Sequence, residues 1–170
     1  MAITRRNVLV AMAAVTVGAA LVGEAGVLRW WNHAPGEGLI ALDKEEYEMA
    51  QALAEAWMPP GAGPPDISGS EANCGKFLDE VVSRMDDFSR KGLKALLQIF
   101  DDMPLLTEHK RFTQLDRYDR ARVLKSWMDS PLYLERQAIG AIMILIGFGY
   151  EVHPQVSKVF SPWYGCGFGA

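Results

Sequence analysis

The chain has 170 residues, 17 Lys+Arg against 21 Asp+Glu, and a net charge of −4. A mildly acidic chain without a basic stripe argues against nucleic acid as a partner, and this length holds one domain with a core of its own. Its two cysteines are too few for an iron–sulfur cluster, and no Cys-x-x-Cys-His run is present to attach haem.

Thr4-Arg5-Arg6-Asn7-Val8-Leu9 joins a hydroxyl residue, an arginine pair and two apolar residues. A mild apolar run follows from Val8 to Gly23. A basic pair before a run of this length reads as an export signal, and Arg5 and Arg6 fit the twin-arginine address. Small residues for cleavage stand at Gly23-Glu24-Ala25, with Gly18-Ala19-Ala20 as a second choice. Residues 1–25 are therefore read as the signal. The alternatives are an uncleaved single span, for which the run is at the short end, and a buried or disordered N-terminus.

Residues 26–42 read as a linker, rich in Gly, Pro and Asn. Trp30 and Trp31 stand in it, either packed on the domain or docked on a partner. Asp43 with Glu46 three residues on makes an N-cap and capping box. Tyr47, Ala50, Ala54 and Trp57 then recur at helical spacing until Pro59-Pro60. Residues 61–69 form a Pro/Gly loop.

Ser70 is a candidate cap for the next helix. Phe77, Val81, Met85 and Phe88 form its stripe, widened by Leu78 and Val82. Leu93, Leu96, Leu97 and Phe100 continue the period to Pro104, as two helices or one kinked helix over 71–103. Residues 105–114 are a connection carrying Phe112. Asp116 with Asp119 opens another helix, with Tyr118, Ala121, Leu124 and Trp127-Met128 on its buried face.

Ser130-Pro131 marks a helix start, with proline at the first helical position. The segment 139–148 is apolar on every side but only 10 residues long, too short to span a bilayer as written. It reads as the central helix of a bundle, wrapped by the others; a second possibility is that one side faces a partner. His153-Pro154 opens a short last element. Residues 161–170 are an aromatic, glycine-rich tail containing Trp163, Tyr164 and Phe168.

The fold expected is all-α: a small irregular bundle of five or six helices with a central apolar helix, preceded by an export signal. The domains are 1–25 signal, 26–42 linker, 43–160 helical domain and 161–170 tail. Cys74 and Cys166 are a candidate disulfide, or else a buried thiol and a tail thiol.

Chemistry is thin. His33 is in the linker, His109 in a loop and His153 at the start of the last element, and none forms a metal-ligand arrangement with another ligand-type residue. Asp86-Asp87 and Asp101-Asp102 are neighbours, which point apart on a helix. No Gly-x-Ser-x-Gly is present. No catalytic, metal or cofactor-binding residue is assigned.

Residues 112–124 (FTQLDRYDRARVL), then Ser126-Trp127-Met128-Asp129-Ser130 and Arg136-Gln137-Ala138, lead into an apolar helix ending Gly149-Tyr150 before His153-Pro154. Together with Trp57-Met58-Pro59-Pro60-Gly61, this order resembles the subunit 3 (small subunit) family of gluconate 2-dehydrogenase. The resemblance covers roughly residues 40–160. It implies a noncatalytic small subunit of a glucose–methanol–choline type dehydrogenase. FAD is then expected in a large catalytic partner, and haem c in a membrane-bound cytochrome subunit. The small subunit would assist maturation of the flavoprotein and carry it through the twin-arginine machinery. Location is expected to be the periplasm, at the outer face of the inner membrane. Trp30, Trp31, Trp163, Tyr164, Phe168 and part of the 131–149 helix are the candidate interface. The alternative is a membrane-anchored helical scaffold or binding protein without a flavoprotein.

Overall fold

A computed structural model describes residues 33–61 and 65–160, and every regular element among them is helical. The first helix, α1 (Lys44–Trp57), is built from good helix formers. Asp43 and Glu46 close the expected capping box: Glu46 N–H donates to Asp43 Oδ1 at 2.9 Å, and Asp43 N–H donates to Glu46 Oε2 at 2.9 Å. Such a cap contributes about 1 kcal/mol. Met58 and Pro59-Pro60 stop the helix. The 65–69 segment then returns against it. A Cβ on Gly69 would lie 2.3 Å from the Ala54 carbonyl oxygen, so only glycine lets these two backbones meet.

Helix α2 (Cys74–Ser83) follows, starting from Asn73 in the left-handed region (φ 57) rather than from Ser70. Helix α3 (Asp87–Asp102) is separate from it. Asp86 accepts from the Phe88 and Ser89 N–H groups, which restarts the chain as a new helix. Phe88 consequently leaves the apolar stripe and is 88% exposed. A short turn of helix, α4 (Leu105–Glu108), and a 3₁₀ turn (Phe112–Gln114) lead to α5 (Arg117–Met128), capped by Asp116 on the Asp119 N–H at 2.9 Å. Helices α6 (Tyr133–Glu151) and α7 (Pro154–Phe160) complete the bundle. The start of α6 comes two residues later than Ser130-Pro131 suggested. Buried Ser130 accepts from the Leu132 N–H and bonds Glu135, so it sits just outside the cap.

Helix α1 is the common partner: α2, α3, the 3₁₀ turn, α5 and α6 all pack on it. Its Ala50, Ala52, Ala54 and Ala56 are buried and let neighbours approach on several sides. Within the core, fully buried Phe112 packs on buried Trp127 with ring centroids 5.1 Å apart, and Phe100 joins Trp127 at 4.9 Å.

The stretch read as linker is partly domain. Asp79, buried on α2, accepts from the N–H groups of Ile40, Ala41 and Leu42, each at 2.8 Å. Leu42 is thereby carried into the core. Three donors on one carboxylate satisfy backbone that no helix or sheet pairs.

Two further expectations are corrected. The apolar helix is not wrapped by the others. Ile139, Ile142, Met143 and Ile146 of α6 are buried, while Leu134 is 79%, Ile144 59% and Phe148 54% exposed. The reason is local geometry: α1, with its small side chains, takes the shared position, and α6 packs by one stripe only. The second correction concerns location in the periplasm at the outer face of the inner membrane. No helix among the described residues is long and apolar enough to cross a membrane. The apolar run after Arg5-Arg6 lies outside those residues.

A candidate partner interface on helix α6

The exposed positions of α6 and its C-cap are Tyr133, Leu134, Gln137, Ala141, Ile144, Phe148, Glu151 and Val152. They recur at steps of three and four, so they form one stripe opposite the buried one. From Leu134 to Val152 the stripe runs roughly 27 Å at about 1.5 Å per residue. Glu151, near one end, is its single charged residue. Beside the stripe lies Trp57 of α1, 42% exposed. A Cβ on Gly147 would stand 3.3 Å from the Trp57 ring, so the missing side chain seats the indole against the α6 backbone. Gly140 differs: nothing lies within 4 Å of where its Cβ would be. The centre of the stripe is therefore low, between larger residues at both ends. A contiguous apolar surface of this kind on a small domain marks a site of contact.

Elsewhere several polar side chains hold the fold together. Buried Glu46 accepts from Gln98 Nε2 at 2.9 Å and pairs with Lys94 Nζ at 3.1 Å, besides its cap bond. Burial raises its carboxyl above the usual range; the Asp43 N–H and Lys94 pull the other way, while the Asp43 charge adds to the rise. Lys94 also donates to the Ala41 carbonyl at 3.0 Å. A cleft of about 290 Å³ is lined by Tyr47, Glu48, Gln51, Glu55, Thr113 and Arg120. The Arg120 guanidinium is already spent on the Phe112 and Thr113 carbonyls and on Glu55. No cluster of three metal-ligating side chains occurs among the described residues.

Cys74 is a buried free thiol at the first position of α2. A helix N-terminus favours thiolate, yet burial wins and pushes the thiol up to about 11. It is a packed apolar group rather than a nucleophile. Cys166, its candidate partner, lies outside the described residues. So do Arg5, Arg6, Trp30, Trp31, Trp163, Tyr164 and Phe168. Of the candidate interface, the described residues include the 131–149 helix alone.

Trp57 was missed as an interface residue, because helical spacing put it on the buried face of α1. The signal was available in α6 itself. A helix apolar all round needs cover on both sides, and a bundle this small has few helices to supply it. Comparison with protein-family models, curated proteins and solved structures found no match for the chain.

Proposed function

We propose that the protein is a noncatalytic small subunit of an FAD-dependent dehydrogenase of the glucose–methanol–choline type. In this reading it assists maturation of the flavoprotein and lends it a twin-arginine address, so that both are exported as one folded pair. The observation that carries the reading is the uncovered apolar stripe of α6. An apolar face left open on a small domain favours a binding role. The order of residues resembling the gluconate 2-dehydrogenase small subunit supplies the class of partner. The FAD belongs to that partner.

The test is purification of the tagged protein from its own cells, with and without Arg5→Lys/Arg6→Lys. A yellow flavoprotein is expected to come with the wild-type chain and to stay unexported in the double variant. Ile144→Glu/Phe148→Glu is expected to lose the flavoprotein while the helical content stays unchanged. If the protein purifies alone, and its deletion leaves every dehydrogenase active and correctly placed, the reading is wrong.

A further inference from the structure

We propose that, in the chain made without its flavoprotein, the α6 stripe is covered by the same stripe of a second copy, antiparallel and centred on Ala141. This rests on the reading of the stripe as an interface.

Three observations point to a second copy. Ala141 lies midway between the two large exposed residues Leu134 and Phe148, seven residues before it and seven after. A two-fold axis at Ala141 therefore sets Leu134 of each copy beside Phe148 of the other. Gly140 and Ala141 then meet at the crossing, and the open space over Gly140 lets the axes come close.

Charge points the same way. A two-fold axis lays like surface on like, so a charged face repels itself. The exposed positions from Tyr133 to Phe148 carry no charge. Antiparallel helices also set opposite dipole ends together.

Area is the third. The exposed parts of Trp57, Tyr133, Leu134, Ile144, Phe148 and Val152 come to roughly 700 Å² per copy, at about 150–250 Å² for a whole aromatic side chain. A stable pair takes roughly 800 Å² from each partner. Self-pairing hides the stripe until a flavoprotein competes for it, so that free subunit and complex exchange by mass action.

The experiment uses the full chain expressed alone. Sedimentation is expected to give the mass of two copies, and Ile144→Glu is expected to weaken the pair at least tenfold with an unchanged circular-dichroism spectrum. A second arm reads geometry. In a Cys166→Ser background, Ala141→Cys is expected to cross-link between copies on mild oxidation more than tenfold faster than Tyr118→Cys, a control on the exposed side of α5. Equal cross-linking at the two positions overturns the proposal. A monomer overturns it too: one that binds a hydrophobic dye has an open stripe, and one that does not has covered it with its own chain. A monomer that still captures the flavoprotein ends the pairing and leaves the subunit reading standing. A pair that never captures one does the reverse.

Discussion

Helices α5 and α6 are neighbours that both pack on α1, and they treat water in opposite ways. The outer side of α5 is dressed in charge. Arg122 pairs with Glu108 at 3.1 Å and Asp119 at 2.9 Å, and Lys125 pairs with Asp129 at 2.7 Å. Even Tyr118, 85% exposed there, sits among arginines and has a polar tip. The outer side of α6 is aliphatic and aromatic. Both helices bury their inner stripes, so packing on α1 does not explain the difference. An apolar outer face does nothing for the isolated fold and exposes the chain to aggregation. The contrast between the two helices therefore points to what α6 meets rather than to how the domain folds.

The sharpest way to test the contrast is to compare the two sides of α6. Ile146→Ala, on the fully buried side, is expected to lower unfolding free energy by about 2–5 kcal/mol in a denaturant titration. Ile144→Ala, two residues away on the outer side, is expected to shift that of the unpaired domain by less than about 0.5 kcal/mol. If the two cost the same, the outer side is covered within the chain.

Next in size is the staple that joins the entering strand of chain to the bundle. Asp79→Ala strands the N–H groups of Ile40, Ala41 and Leu42. A loss of about 2–3 kcal/mol is expected, together with faster hydrogen exchange at these three amides. Asp79→Asn keeps one acceptor oxygen and should lose less.

Glu46 sets the pH behaviour of the inner network. Its folded value is raised above the ordinary 4.5. The folded protein therefore takes up this proton before the unfolded chain does. Stability gained through Glu46 rises as pH falls through the raised value, is complete below 4.5, and is absent above the raised value. Glu46→Gln should abolish that rise, and the difference between wild type and variant, followed by thermal unfolding from neutral pH to below 4.5, should change in this window alone. A difference that is flat with pH would mean that Lys94 and the Asp43 N–H outweigh the burial.

The smallest effects compare two glycines of α6. Gly140→Ala is expected to raise the unfolding free energy of the unpaired domain by about 0.8–1 kcal/mol, since its methyl meets open space and helix propensity improves. At Gly147 the same change presses on the Trp57 ring and should gain less or lose. On α5, Arg122→Ala is expected to leave the unfolding midpoint unmoved, because its ion pairs are in water.

Much of the bundle was legible because its signals are local. Asp43 with Glu46, and Asp116 with Asp119, are caps that act within one turn, and both helices begin where those residues stand. Pro104 and Pro59-Pro60 stop helices through the missing N–H. The break at Asp86 was only half legible, because Phe88 keeps the apolar period across it. Ser70 and Ser130 have cap chemistry, yet Ser70 bonds back to the Ser68 hydroxyl and Ser130 bonds the Leu132 N–H and Glu135, and the helices begin later. The candidate interface was legible only as a helix apolar on all sides. Its other member, Trp57, belongs by spacing to the buried stripe of α1, and nothing local shows that the indole ends on Gly147.

Residue chemistry by itself determined that the described domain is helical, where most of its helices start and stop, and that no recognisable catalytic motif is written in it. Those properties follow from propensity, capping and spacing over a few residues. Tertiary structure alone decided which helix is shared by the others, that Asp79 stitches residues 40–42 into the bundle, and which side of α6 remains uncovered. These depend on side-chain volume across the whole core: the alanines of α1 take the crowded position, and α6 is left with more apolar surface than its neighbours can cover.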